Sequence, residues 1–271
     1  MTNNNVLVSI DSRYRDKSSY PNSGYFSYLL PRKYPNVISI KLVSIEFPNL
    51  FYTFTSIKKN ITFYVQPTGL SKQLITIKQG NYTSTQIIEE LNEKFKVFNS
   101  GGVTVTASLD TVTGCTTISA TALSVATNFE IDFTDSNLGK HLGYNNNLYT
   151  NNSSYTSEGI MDVVGDPYFY VRINDFGDLV TQFGGINILG KIILNKSKTV
   201  MVFDNQANFL TKSYTFVNTQ TIQKLDIELI DINGVRVDMV NLDYSLTLEL
   251  KMAYDNSKVG YYDSFKNNFQ F

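Results

Sequence analysis

Hydrophobic and polar positions alternate at the start of the chain, and the pattern predicts a β-strand there. Residues 5–10 read NVLVSI, with an apolar side chain at every second position. Residues 36–49 read NVISIKLVSIEFPN, and both faces of that segment are largely apolar. Two apolar faces are typical of the buried centre of a sheet. The Pro-, Ser- and Tyr-rich residues 16–36 predict an extended arm with one short strand near Tyr25–Leu30.

Residues 60–145 show a different pattern, with one clear helix among short strands. Residues 83–95 read TSTQIIEELNEKF, and Thr83 and Gln86 have the spacing of a capping box. The stripe that follows has helical spacing and consists of Ile87, Ile88, Leu91 and Phe95. Two strands before this helix and a hairpin after it predict a small α+β module of the ββαββ kind.

The second half of the chain predicts strands without helices. Residues 145–155 are rich in Asn, Ser, Tyr and Thr, and we expect a loop there. The strands then expected are PYFYVRIND, NILGKIILN, TVMVFD, KSYTFVN, QKLDIELID, VRVDM and YSLTLELKMA. Asn233–Gly234 lies between two of them and predicts a tight hairpin turn. Strands at roughly ten-residue spacing predict an antiparallel sandwich or barrel.

These patterns together predict a mainly β protein with one insertion. We expect residues 1–59 to form an N-terminal arm and the first strands of the β domain. Residues 60–145 would be the inserted α+β module, and residues 146–254 the remainder of the β domain. Residues 255–271 would form a C-terminal arm.

Composition narrows the classes of function. Hydrophobic residues make up 42% and charged residues 17% of the chain, which is too apolar for a disordered protein. The formal net charge is −1, so the general basic surplus of a protein that binds nucleic acid through its phosphates is missing. The start of the chain has no signal-peptide pattern and no apolar run approaches the length of a membrane span, so we expect a soluble protein.

Catalytic residues are hard to find in this sequence. His141 is the single histidine and lies on an expected short helical turn, without a G-x-S-x-G motif in the chain. Cys115 is the single cysteine, which excludes an intramolecular disulfide and favours the role of a small hydrophobe. Four aspartates could be imagined as a carboxylate pair for hydrolysis, but each lies beside a Gly or Pro turn: Asp162, Asp166, Asp175 and Asp178. We therefore expect no enzyme, no cofactor and no metal site.

Two segments mix aromatic and polar residues in the manner of an interaction surface. The first begins with SIDSRYRDK at residues 9–17, where Asp11, Arg13 and Arg15 would share one face of a strand. The second is the tail at residues 255–271. Aromatic side chains and arginines are enriched where proteins bind each other. The candidate assembly residues are Asp11, Arg13, Tyr14, Arg15, Tyr20, Tyr25, Tyr261, Tyr262, Phe265, Phe269 and Phe271.

Several motifs, taken in order, resemble one protein family from about residue 8 to residue 254. They are IDSRYRD, NVISIKLVSIEFPN, LITIKQGNYTSTQIIEELN, INILGKIILN, YTFVNTQTIQKLDIELIDINGVRVD and DYSLTLELKM. The set is similar to the minor capsid and penton-type proteins of nucleocytoplasmic large (giant) DNA viruses, which accompany the double jelly-roll major capsid protein.

The resemblance implies an antiparallel jelly-roll sandwich built into an icosahedral shell. It implies as partners the major capsid protein and other capsid proteins, a homopentamer if the chain is a penton, and no specific nucleic acid. The virion capsid, assembled in the host cytoplasm, would be its location. Arg13 and Arg15 would then pair with carboxylates of a neighbouring subunit; the alternative is an internal Asp11–Arg13 pair at the surface. The alternative function is a receptor- or glycan-binding β domain of a fibre or spike, with tyrosines near residues 145–155 stacking on sugars.

Overall fold

The protein is mainly β, with antiparallel pairing throughout the part that the structure describes. The computed structural model describes residues 3–181, 187–194, 200–204, 209–211 and 213–253. The chain forms two compact units, one built from residues 1–50 and 167–271 and the other from residues 51–166. The expected fold class, a mainly β jelly-roll arrangement with a small α+β insertion, is confirmed.

The first unit is a single eight-stranded sheet with strands from both ends of the chain. Its strands are β1 (Asn3–Asp11), β2 (Tyr25–Pro48), β11 (Tyr168–Ile173), β12 (Gly190–Ile193), β13 (Met201–Asp204), β14 (Phe209–Thr211), β15 (Tyr214–Ile230) and β16 (Ser245–Ala253). The order is β1-β16-β2-β15-β11-β12-β14, and β13 pairs with β2. The last described strand thus lies between the first two, which only tertiary folding can arrange.

β2 joins two segments that the sequence predicts as a separate arm and strand. It runs without interruption from Tyr25 to Pro48, although it contains Pro31 and Pro35. Between Leu29 and Val37 its pairing with β15 is irregular. Proline lacks an N–H and is tolerated at such irregularities, so the short strand expected near Tyr25–Leu30 continues into the strand expected at residues 36–49.

β15 also joins two expected strands, whereas one expected strand is missing. Residues 214–230 are continuous, and the segment around Asn218–Gln220 is extended rather than a turn. Asn233–Gly234 does lie in a turn, where the Gly234 N–H donates to the Asp231 carbonyl oxygen at 3.1 Å. The returning segment VRVDM makes only an isolated bridge between Arg236 and Ile230, so the expected strand is wrong.

The second unit, residues 51–166, contains two four-stranded sheets and the principal helix. Its strands are β3 (Thr62–Pro67), β4 (Gln73–Thr76), β5 (Val103–Leu109), β6 (Thr116–Ala122), β7 (Val125–Ala126), β8 (Phe129–Asp132), β9 (Leu148–Asn152) and β10 (Ser154–Thr156). Its helices are α1 (Ser84–Phe95) and the short α2 (Leu138–His141). The sheet orders are β10-β6-β5, with β7 beside β6, and β4-β3-β8-β9.

The predicted helix and its cap are confirmed. The Gln86 N–H donates to the Thr83 hydroxyl at 3.2 Å, and the Thr83 N–H donates to the Gln86 side chain at 2.9 Å. Ile87, Leu91 and Phe95 are buried in the core of this unit. The 3.6-residue period of apolar residues therefore predicted the buried face of α1 correctly.

The expected loop at residues 145–155 is wrong, because most of this segment forms β9 and β10. β9 pairs with β8 and β10 pairs with β6, so its polar residues gain backbone partners that lie far away in the sequence. The observed unit, residues 51–166, is consequently longer at both ends than the module expected at residues 60–145.

Candidate assembly surface

The N-terminal segment turns immediately after β1. Asp11 ends the strand and caps a 3₁₀ helix, Ser12–Tyr14, by accepting a hydrogen bond from the Arg13 N–H at 2.9 Å. The Arg13 Nε donates to Asp11 Oδ2 at 2.9 Å, and this side-chain hydrogen bond lowers the pKa of Asp11. The prediction that Asp11, Arg13 and Arg15 share a strand face is wrong, because the strand ends at Asp11. Asp11 and Arg13 form the internal pair that was the alternative.

Arg15 is directed into its own chain. Its side chain is only 2% exposed and pairs with Asp243, close to β16. Its remaining donors reach the carbonyl oxygens of Ser12 at 2.8 Å, Tyr20 at 2.8 Å and Pro21 at 2.9 Å. Each end of the guanidinium is thus bonded within the same chain, so the described contacts of Arg15 are those of a structural residue.

The predicted aromatic residues divide into an exposed one and a supported pair. Tyr14 is 82% exposed. Tyr20 and Tyr25 contact each other edge to face, with ring centroids 5.5 Å apart, and the Arg236 guanidinium lies 4.3 Å from the Tyr25 ring centroid. Such stacking holds the Tyr25 ring of β2 in position between Tyr20 and Arg236. Tyr261, Tyr262, Phe265, Phe269 and Phe271 lie outside the described residues.

A charged cluster that sequence reasoning missed lies beside this aromatic pair. Glu228 on β15 is largely buried and pairs with Arg172 at 3.1 Å and with Arg236 at 2.8 Å. Arg172 lies directly opposite Glu228 in the β11–β15 ladder, so the pairing register creates the contact. No sequence spacing signals the Arg172–Glu228 contact, since these two residues are far apart along the chain, whereas Arg236 lies eight positions from Glu228, across the predicted turn. The cluster connects Tyr25 through Arg236 to the centre of the sheet.

The face of the sheet opposite its buried side chains carries exposed apolar side chains on β13. Asp11, Ser245, Glu46 and Phe203 are direct cross-strand neighbours in β1, β16, β2 and β13. Phe203 is 62% exposed, and Met201 on the same strand face is 61% exposed, whereas Val202 between them is buried. Residues 200–203 are apolar at every position, so the sequence pattern alone does not tell which face of this strand is exposed. A contiguous apolar patch rimmed by polar groups is typical of an interaction site, so this face is a candidate for one.

The possible catalytic residues have structural contacts. His141 Nδ1 lies 2.9 Å from the Asp162 carbonyl oxygen and Nε2 lies 3.1 Å from the Asn60 side-chain nitrogen, so neighbouring groups engage both ring nitrogens. Lys58 pairs with Asp166 at 2.6 Å. Asp175 and Asp178 belong to the other unit and are exposed, and Cys115 is a free, half-buried thiol. Among the described residues, no three His, Cys, Asp or Glu side chains are grouped as metal ligands.

The tyrosines expected to stack on sugars pack inside the second unit. Tyr155 is buried, and its hydroxyl donates to the Phe129 carbonyl oxygen at 2.8 Å. Tyr149 contacts the rings of Tyr144 and Tyr155 and donates its hydroxyl to Glu158 at 2.8 Å. Burial raises the pKa of the Tyr149 hydroxyl to about 12, in keeping with that enclosure. Tyr155 is thus enclosed, and the half-buried Tyr149 ring packs against two neighbouring aromatic rings.

Within the residues that the structure covers, every helix is too short or too polar to cross a bilayer.

Comparison with known proteins gives a family and a fold. The model of a family of unknown function, DUF5901, matches residues 2–254. No curated protein sequence matches the chain. Among solved structures, the crystal structure of the selenomethionine-labelled mavirus penton protein is similar, with a TM-score of 0.51 and 8% sequence identity. That similarity covers 93% of this chain and 100% of the penton chain.

Proposed function

The chain belongs to the DUF5901 family, whose function is unknown, and we propose that it is a structural protein of a viral capsid. The observation that carries the proposal is the likeness of its fold to a mavirus penton protein along the whole of that protein. At 8% identity the likeness concerns the fold, so the role itself is our inference. The capsid motifs in the sequence support the same role independently.

The proposed mechanism is subunit assembly rather than catalysis. The described surface that supports it combines exposed Tyr14, Met201 and Phe203 with the Asp11–Arg13 pair and the Arg236–Tyr25 stack. Large apolar side chains next to hydrogen-bonding groups are typical of protein interfaces. We propose the major capsid protein and other capsid proteins as partners, and the capsid of a large DNA virus, assembled in the host cytoplasm, as the location.

Within that role, we propose the penton position, which requires a homopentamer. A vertex of an icosahedral shell has fivefold symmetry, and a closed ring of five copies satisfies it. A minor capsid protein held by unlike neighbours needs no such ring. The oligomeric state therefore separates these two versions of the proposal.

Native mass spectrometry of the full chain over a range of concentrations is the test, followed by addition of the major capsid protein of the same virus. We expect a species of five chains whose population rises with concentration. A monomer, dimer or trimer that binds the major capsid protein would replace the penton by a minor capsid role. A chain that forms no pentamer and ignores the major capsid protein would overturn the capsid proposal.

The receptor- or glycan-binding alternative loses the observation that favoured it. It depended on open tyrosines near residues 145–155, and Tyr149 and Tyr155 pack against other aromatic rings.

A further inference from the structure

β1 lies at one end of the strand order of the large sheet. It pairs with β16 on one side, from Asn3 opposite Ala253 to Asp11 opposite Ser245, and the register is unbroken. On its other side it has no partner strand among the described residues. β1 therefore presents a straight backbone edge of nine residues.

The pairing determines which backbone groups face outward from that edge. The Ser12 N–H donates to the Tyr244 carbonyl oxygen at 2.9 Å, directly after the last ladder pair. In an antiparallel pair, bonded residues alternate with residues whose N–H and C=O point away. Val8 and Ile10 therefore bond to β16, whereas Leu7 and Ser9 direct their backbone groups outward. These outward groups are a template for an added strand.

This edge lacks the devices with which proteins usually block such pairing. Residues 3–10 contain no charged residue and no proline, and the ladder contains no bulge. Leu7 is 63% exposed on the face opposite the core. Natural edge strands are usually protected by lysines, prolines or bulges. An unprotected edge of this length in a protein that must associate indicates an interface.

We propose that this edge receives the C-terminal tail of a neighbouring copy of the chain as an added strand. The inference deepens the proposed assembly function and rests on it. Eighteen residues, 254–271, follow Ala253, and Ala253 lies opposite Asn3 at the beginning of the edge. Each copy therefore has a long segment that starts beside the edge.

Geometry favours the tail of another copy over the chain's own tail. A tail that returned along its own edge would have to cross the start of β1 and would then run parallel to β1. All described strand pairs in this sheet are antiparallel. A neighbouring copy can approach from the opposite end and pair in the antiparallel direction, which is slightly more stable. Contacts of this head-to-tail kind can close into a ring.

The chemistry of the tail suits an edge that is uncharged from Asn3 to Ile10. Residues 255–271 contain two aspartates and two lysines, so the side chains carry no net charge. Four of its five aromatic residues occupy odd positions, Tyr261, Phe265, Phe269 and Phe271, whereas even positions from 264 to 270 are polar. In an extended strand this alternation would put the aromatic rings on one face. Aromatic residues beside the exposed Leu7 would then pack across strands.

The test uses variants of the edge, which accepts the added strand, and of the tail, which donates it. The acceptor variant Ser9→Pro removes an outward N–H without removing a bond to β16, which is where an edge strand tolerates proline. Ser9→Ala is the matched control, because it keeps the N–H. Leu7→Lys is a second acceptor variant, which keeps the backbone intact and adds a protecting charge. The donor variant is a full chain truncated after Ala253.

Native mass spectrometry and circular dichroism would be recorded for each protein alone and for mixtures. We expect the wild type and Ser9→Ala to form oligomers, and Ser9→Pro, Leu7→Lys and the truncated chain to associate more weakly by about tenfold or more. All should keep the β spectrum. A mixture of Ser9→Pro, which has a tail, with the truncated chain, which has an open edge, should form mixed species that neither forms alone.

The other outcomes contradict the proposal in distinguishable ways. If the truncated chain still associates but Ser9→Pro does not, two edges pair with each other. If both acceptor variants associate like the wild type, the edge is not used. If truncation increases association, the tail covers its own edge. If neither the edge variants nor the truncation change association, but the chain binds the major capsid protein, the strand exchange is refuted and the capsid role stands.

Discussion

Arg13 and Arg15 are separated by one residue in the sequence, but the first side chain is exposed and the second is buried. The Arg13 side chain is 67% exposed and bonds to Asp11 in its own turn, whereas the Arg15 side chain is 2% exposed and bonds to Asp243 and three carbonyl oxygens. An exposed pair contributes little because water solvates both charges well. A buried arginine that is removed leaves its acceptors without donors, which is costly. The charge pattern RYR alone contains no sign of this difference.

We therefore expect Arg15→Ala to lower the free energy of unfolding by about 3 kcal/mol, because Asp243 loses its buried cationic partner and the carbonyl oxygens of Tyr20 and Pro21 lose a donor. Arg13→Ala is the matched control and should leave the free energy of unfolding almost unchanged. Urea denaturation followed by circular dichroism measures both. Equal effects of the two variants would contradict the assignment of Arg15 as a structural residue.

The stability of the second unit should depend on pH because of the Asp132 carboxylate. Hydrogen bonds from the Lys72 ammonium at 2.6 Å and the Thr134 hydroxyl at 2.6 Å lower the pKa of Asp132 to about 2. A carboxylate with a lowered pKa in the folded state stabilises the fold above its unfolded pKa of about 4, and this contribution disappears as the pH falls toward 2. The wild type should therefore be more stable than Asp132→Asn at pH 5.

The difference between these two proteins should shrink as the pH falls from 4 to 2 and should be lost near pH 2. Chemical denaturation midpoints of the wild type and of Asp132→Asn, measured at half-unit steps of pH, would follow this difference. Thr68→Ala provides a control, since that hydroxyl donates to the Asn128 carbonyl oxygen and does not titrate. A difference that stays constant with pH would show that the charge of Asp132 is not what stabilises the unit.

At the scale of elements, β2 shows how irregular pairing changes which face of a strand is buried. Its buried residues are even-numbered at Ile40 and Leu42 but odd-numbered at Ile45 and Phe47. The ladder with β16 shifts between these pairs, since Leu42 lies opposite Leu248 and Ser44 lies opposite Thr247. The extra residue in the bulge reverses the alternation. This is why both faces of the sequence segment carry apolar residues, although the apolar residues that are buried change from even to odd positions at the bulge.

At the scale of the whole molecule, the two units differ in how far apart in the sequence their contacting residues lie. The core of residues 51–166 is formed by residues of that continuous segment, from Phe54 to Tyr155. The other unit needs β1 beside β16, so it closes a loop of almost the entire chain. Closing long loops costs conformational entropy, and contacts between distant residues slow folding.

We expect the fragment 51–166 to fold alone. Its core aromatic residues, including Phe63, Phe95 and Phe133, contact each other within the fragment, and all its sheet partners belong to it. Thermal unfolding followed by circular dichroism should be a single cooperative transition. Phe133→Ala in the same fragment should lower the midpoint strongly, since removing a buried phenyl ring typically costs about 3–5 kcal/mol. A fragment without a cooperative transition would show that this core depends on the rest of the chain.

The sequence by itself determined the features that depend on local periodicity. Helix α1 with its Thr83–Gln86 box and the alternation of β1 are set by neighbouring residues, and both were predicted. The mainly β class followed from composition and strand spacing in the same way. The likeness to the mavirus penton protein, in contrast, is a likeness of the whole fold, because the two sequences are only 8% identical.

Tertiary structure decided what depends on pairing between distant segments. It joined two predicted segments into β2, made strands of the polar residues 148–156, and buried Arg15 beside Asp243. It also left β1 as the edge of the sheet. The physical reason is that a backbone hydrogen bond or a buried charge is satisfied by whichever partner the fold brings near. That partner is not encoded in the residues beside it.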